Sequence, residues 1–336
     1  MTTLHDTKLS MLDLVAIREG GTTAEALAIA RDTARHVEQL GFTRYWLAEH
    51  HNMPGIASSA TTVLVGYIAG ATNRIRVGSG GIMLPNHAPL VVAEAFGTLA
   101  ELYPGRIDLG LGRAPGTDQM TMRALRRDRI ETEADFPRAV SELQQLLGPR
   151  LPEQQVVAVP GNGTEVPIWL LGSSLFSARL AAERGLPYSF ASHFAPAMLL
   201  PAIEIYRRNF RPSAKLAKPY VMIGVPVIAA PTDDEAEFLA SSTYQRVLGI
   251  LRGDRRCLPP PVADYLSGLH PQERSGIADF LGAAVIGGPE TVRAGLNALL
   301  QATGADEMIL VSDIFDPALR LRSLEITAGL FALNAG

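Results

Sequence analysis

Short apolar runs that end in glycine or polar clusters, separated by stretches of helical spacing, recur along most of this chain and leave few folds open to it. Between Tyr45 and Asp118 the pattern repeats in quick succession. Tyr45–Ala48 ends in Glu49-His50-His51, Ile75–Gly78 in Ser79-Gly80-Gly81, and Ile107–Leu111 in Gly112-Arg113-Ala114-Pro115. Strands joined through helices run parallel, because each helix carries the chain back to the start of the next strand. Eight such units close into a barrel without an exposed edge, and the loops at the carboxyl ends of the strands build its active site.

The rest of the chain keeps the rhythm. Leu9–Val15, Tyr45–Ala48, Ile75–Gly78, Ile107–Leu111, Ile168–Leu171, Tyr188–Ser192, Val221–Ala229 and Met308–Val311 read as the strands. Thr22 and Glu25 have capping-box spacing and open a helix that stops near Gly41. Further helices are expected over about Ser58–Gly70, from Pro89 to the Pro104-Gly105 break, and over Glu133–Leu147, Ser174–Arg184 and Pro196–Phe210. Others start at Asp233, behind Thr232 and Glu235 at capping spacing, and near Pro317. The expected fold is therefore a (β/α)8 TIM barrel, one domain over 1–336. A doubly wound open sheet is the rival, but no GxGxxG follows the first strand. Two stretches interrupt the pattern. Residues 148–166, with Pro149, Pro152, Pro160 and a Gly-Asn-Gly turn, read as a loop or small hairpin inserted before strand five. Residues 252–282, with Pro259-Pro260-Pro261, read as a long connection without structure, either a mobile lid over the barrel mouth or a disordered loop.

A net charge of −4 gives no electrostatic footprint for nucleic acid. The basic run Arg123–Arg129 is interrupted by Asp128 and reads as a solvated helix face. A single cysteine, Cys257, leaves no intramolecular disulfide framework and no thiolate metal cluster. The start lacks a basic, then apolar, leader pattern, and no apolar run approaches a membrane span, so a cytoplasmic location is expected.

The strand ends carry the chemistry. Neighbours on an extended chain point to opposite sides, so one of His50 and His51 should face the mouth. Paired histidines suggest a metal, yet strands one, three and four offer no further His or Asp ligand at their ends. A neutral base or hydrogen-bond donor, or a structural role, are the other readings. Ser79-Gly80-Gly81 leaves little side chain and admits a flat ligand, or else only makes a tight turn. Arg113, flanked by glycines, offers a cationic fork to a phosphate, or pairs with a carboxylate such as Glu49. Gly172-Ser173-Ser174 opens a helix whose free N–H groups suit a phosphate, with the Ser174 and Ser177 hydroxyls as further donors; a plain serine N-cap is the alternative.

Together, YWLAEHH, VGSGGIMLPNH, RIDLGLGRAPG and WLLGSS resemble the bacterial luciferase-like family of flavin-dependent monooxygenases, over nearly the whole chain. The resemblance implies a (β/α)8 barrel that takes reduced FMN from a separate flavin reductase and reacts it with O2 and a small organic substrate. By position, Arg113, Ser174 and Ser177, with the backbone N–H groups of Ser173 and Ser174, would hold the FMN phosphate. Ser79 and Gly80 would form a non-proline cis peptide beneath the ring, and His50 would be the catalytic histidine. No metal is implied. Gly112 replaces the reactive cysteine of light-emitting luciferase, so emission from long-chain aldehydes is not implied. A homodimer is the natural assembly. The alternatives are an F420-dependent oxidoreductase of the same fold, a non-catalytic flavin-binding protein, and a metal-dependent barrel hydrolase.

Overall fold

A computed structural model describes residues 3–113, 119–125, 135–331 and 333. Among the described residues nine strands run in the order β1 (Lys8–Asp13), β2 (Arg44–Leu47), β3 (Arg76–Met83), β4 (Ile107–Gly112), β5 (Ile168–Gly172), β6 (Tyr188–Phe190), β7 (Val221–Ala229), β8 (Val285–Gly287) and β9 (Glu307–Val311). Each of β1 to β7 pairs in parallel with the next, and β9 pairs with both β7 and β1, which closes an eight-stranded barrel. The eight expected strands are the eight of the ring. β8 lies outside it, paired to the carboxyl end of β7 through Val227 and Val285.

Alternation along the strands sorts side chains into an outer and an inner set. Met11, Tyr45, Leu47 and Leu109 point outward into the main core, shared with the helices. Leu12, Trp46, Trp169, Met222 and Ile309 form a separate cluster that includes no helix residue and fills the middle of the barrel. Trp169 stands edge-on to Trp46 and to Tyr220, at 5.2 and 5.4 Å between ring centres.

One step toward the amino ends lies a polar layer. The Arg44 guanidinium sits 2.6 Å from Asp108 and 2.7 Å from Glu307, and Arg76 reaches Asp108 at 2.6 Å. Tyr220 donates its hydroxyl to Glu307 at 2.8 Å. Burial opposes the Arg44 charge, but Glu307 and Asp108 reverse that and hold its pKa above the ordinary value. One step toward the carboxyl ends, the same inward positions are Ala48, Gly80, Gly112 and Gly224. There the barrel interior opens.

The surrounding helices are α1 (Thr23–Gln39), α2 (Thr61–Ala71), α3 (Pro89–Leu102), α4 (Gln119–Leu125), α5 (Asp135–Leu147), α6 (Leu175–Arg184), α7 (Leu199–Asn209), α8 (Asp233–Leu251), α9 (Pro271–Phe280), α10 (Pro289–Thr303) and α11 (Pro317–Ala328). Thr22 and Glu25 cap α1 reciprocally, and Thr232 accepts the Glu235 N–H at the start of α8. Residues 148–166 form turns with no strand. Gly161 lies against α3 so closely that a Cβ on Gly97 would fall 2.1 Å from its Cα. Ala114-Pro115-Gly116, Arg126–Arg129 and the expected helix start at Glu133 lie outside the described residues.

Residues 252–282 correct the expectation of a connection without structure. Pro271 occupies the first turn of α9, and Glu273 accepts the His270 N–H. Ile277 and Leu281 pack with Leu239, Tyr244 and Leu248 of α8 in a second buried cluster. That apolar contact, rather than local sequence, orders the stretch.

Candidate active site

The inner glycines, the loops after the strands and the α8–α9 cover enclose a cavity of about 540 Å³ at the carboxyl end of the barrel. Its walls are largely apolar, with Leu14, Met53, Leu171, Phe190, Ile228 and Phe280 among them.

One wall carries the anion-binding features. Arg113 leaves the end of β4, and its guanidinium lies 4.3 Å from the Phe176 ring centre on α6, so adjacent strand ends are brought together. Gly172, Ser173, Ser174 and Ser177 line the same wall. Ser174 is the N-cap residue of α6 but makes no side-chain bond to its own helix. A Cβ on Gly172 would fall 2.3 Å from the Ser177 hydroxyl, so glycine is what lets the backbone close around that serine. Above Gly112 the nearest atom to such a Cβ is 3.8 Å away, and the floor is open. The α6 N-terminus with its dipole, the serines and Arg113 suit the phosphate of a flavin nucleotide.

Ser79 departs from expectation. Its side chain does not line the cavity; it is buried between strands, donating to the Gly110 carbonyl at 2.9 Å and accepting the Gly110 N–H at 3.1 Å. The non-proline cis bond is Gly80–Gly81, not Ser79–Gly80. The register explains the offset: Ser79 still pairs regularly with Leu109, and the ladder shifts only between Ser79 and Ile82. Gly80 and Gly81 both line the cavity.

His50 lines the cavity, whereas His51 turns away from it. The His51 and His87 Nε2 atoms lie 2.8 and 2.7 Å from the same oxygen of Glu49, and the other oxygen accepts the Met83 N–H at 3.1 Å. Burial opposes the Glu49 charge, but the His87 and His51 contacts and the Met83 N–H hold its carboxyl below the ordinary range. An ionised carboxylate only accepts, so both Nε2 atoms carry hydrogen. His87, just beyond β3, is a partner the sequence reading did not assign to Glu49. These three donor atoms lie within 4.8 Å of one another, near enough for one ion, but their spacing is that of a hydrogen-bonded cluster. Glu49 thus has partners other than Arg113.

Six further polar residues line the cavity without having been singled out: Ser189 on β6, His193 after it, Thr243 and Arg246 on α8, Arg255 just beyond α8, and Asp313 after β9. Arg246 lies 2.9 Å from Asp313, and Thr243 donates to the Asp313 carbonyl at 3.1 Å. Their strand-end positions were the available signal for His193 and Asp313; α8 gave none. Among the described residues no helix is long and apolar enough to cross a membrane.

A family model described as luciferase-like monooxygenase matches residues 7–307. A luciferase-like monooxygenase of Escherichia coli (strain K12) is 52% identical over 317 residues, 94% of this chain and 95% of that protein. An N-acetyl-S-alkylcysteine monooxygenase of Bacillus subtilis is 40% identical over 188 residues, 55% of this chain and 56% of that one. The crystal structure of apo-MsnO8 superposes with a TM-score of 0.87 at 35% identity, covering 98% and 99% of the two chains. More distant structures share the fold alone. They include the oxygenating constituent of 3,6-diketocamphane monooxygenase from Pseudomonas putida, with FMN (TM-score 0.72, 18% identity, 96% and 97% covered), and an F420-dependent secondary alcohol dehydrogenase (0.70, 15%, 97% and 99%).

Proposed function

Since the chain belongs to the luciferase-like monooxygenase family, we propose that it is an FMN-dependent monooxygenase acting on a small organic substrate. The observation that carries this reading is one apolar cavity that joins the Arg113–α6 cradle, the Gly80–Gly81 floor and His50. Arg113, the Ser174 and Ser177 hydroxyls and the N–H groups of Ser173 and Ser174 hold the phosphate. Gly80 and Gly81 leave room for the flat ring. Bound reduced FMN supplies the electrons that let O2 give one oxygen atom to the substrate and the other to water. A separate flavin reductase delivers the reduced cofactor. The protein's part is to bind, orient and exclude water, which the apolar walls do. His50 hydrogen-bonds at the reacting end. The chain works in the cytoplasm as a homodimer.

Titration of the apo-protein with FMN, riboflavin and F420, followed by fluorescence, tests the cofactor. FMN should bind more tightly than riboflavin, which lacks the phosphate. Arg113→Ala should remove a charge-assisted contact worth ~1.5–3 kcal/mol, roughly a 10- to 100-fold loss for FMN. Equal FMN affinity in both proteins would overturn the assignment of Arg113, and preference for F420 would select the sister cofactor. Oxygen consumption without any oxygenated product across a substrate panel would favour a flavin-binding protein over a monooxygenase.

A further inference from the structure

The end of the cavity formed by α8 and the segment after it is basic. Arg246 on α8 and Arg255 just beyond it line the cavity, and both also line an adjoining pocket of about 280 Å³. Met53, Ile56 and Ile250 are shared in the same way, so the two spaces meet along one rim.

The arginines around that rim are matched in number by carboxylates, but of these groups only Arg246, Arg255 and Asp313 line the cavity itself, which leaves one positive charge there. Of the arginines there, Arg252 is paired with Glu273, Arg256 with Asp254 at 2.6 Å, and Arg246 with Asp313 at 2.9 Å. Arg255 has no ion pair or hydrogen bond among the described residues. Glu19 is the remaining carboxylate, and it lines the outer pocket but not the cavity. Arg246 is itself incompletely satisfied. Its Nη1 is buried, and although close to Asp313 it makes no aligned hydrogen bond. A buried cationic N–H without an acceptor is costly, and a guanidinium fork matches a carboxylate in shape and charge. A single unmatched positive charge suits a monoanion; a dianion would bring its second charge against Asp313 and Glu19.

We propose that the substrate is an amphipathic organic carboxylate, its apolar body in the cavity and its carboxylate held at the rim by Arg255 and Arg246. The word substrate rests on the monooxygenase reading; the carboxylate preference does not. Arg255 and Arg246 act here as specificity-determining residues and take no part in oxygen chemistry.

Calorimetric titration of the protein with octanoate and with octanamide, which matches it in size but lacks the charge, tests the proposal without turnover. Octanoate should bind about tenfold more tightly, the scale of one charge-assisted contact. Arg255→Ala should abolish that preference, Arg255→Lys should keep part of it, and added salt should narrow it in the unmodified protein. Equal binding of the two ligands, no binding of either, or an undiminished preference in Arg255→Ala would overturn it. FMN affinity is measured in the same samples. A carboxylate preference without FMN binding would sink the flavin reading and leave this one standing; FMN binding without the preference would do the reverse.

Discussion

Where His193 stands, Gly224 has no side chain: a Cβ there would lie 2.3 Å from the His193 Nδ1. The glycine lets the imidazole fold down over β7, with its Nδ1 buried and without a hydrogen-bond partner among the described residues. Burial, helped by His50 nearby, pushes the His193 pKa down to about 4 from an ordinary value of 6.5. The ring is therefore neutral at physiological pH. In the unfolded chain it takes up a proton near 6.5, which the folded protein refuses until about 4, so stability is complete above the first value and falls as pH drops toward the second. The slope this adds approaches about 1.4 kcal/mol per pH unit within the window. His193→Gln should remove that slope: its stability in urea should vary less between pH 7 and pH 4 than the parent's. Equal pH dependence in both proteins would show that the ring is not held neutral. The sequence offers only one signal for this residue, its place directly after the expected strand Tyr188–Ser192, with no glycine or polar cluster beside it. Arg113, Ser174 and His50 stand at strand ends beside glycine and polar clusters, which made their place in the cavity wall legible. Ser79 was misassigned because its hydroxyl serves the strand pairing, which only the register shows.

At the scale of elements, signals at helix starts read well and length misled. Thr22 with Glu25, Thr232 with Glu235, and Pro89 each mark a helix that forms where expected. β8 has three residues, too few to show a period, and α9 lies behind a proline run that reads as loop. Both depend on packing against α8 and β7, a contact far from their own sequence. The helices also bear on assembly. Val63 and Tyr67, one turn apart on α2, are 70% and 41% exposed, and Val91 and Leu102 on α3 are 59% and 63% exposed. α2 and α3 pack together, and this apolar surface is where the proposed homodimer would form. Light scattering after size exclusion should give the mass of two chains, and Val63→Asp combined with Tyr67→Glu should give that of one. A parent protein that elutes as a monomer at micromolar concentration would refute the dimer.

Across the whole molecule, inward residues form three levels: charged at the amino end, aromatic and aliphatic in the middle, glycine and small residues at the mouth. The strand β2 shows all three as Arg44-Trp46-Ala48, and Glu307-Ile309 and Asp108 with Gly112 show two each. The barrel was legible from the alternation of elements. The levels were not, because Arg44 and Glu307 look like loop residues and were left outside their strands. Charged residues end a strand in water, but inside a closed barrel they satisfy one another. Arg44→Met should leave Asp108 and Glu307 buried short of a partner and cost about 3–5 kcal/mol. Urea denaturation should show the loss, and an unchanged midpoint would mean that the layer is dispensable.

Glu307 accepts from Arg44, 263 positions earlier, and from Ser10, 297 positions earlier. Protein synthesis proceeds from the amino end, so β1 and β2 leave the ribosome long before the strand that completes them. Until β9 emerges, β1 and β7 each present an open strand edge, and Arg44 lacks one of its two counter-ions. A nascent chain of this kind exposes a sticky seam until the acid that seals it, made long after Arg44, has left the ribosome.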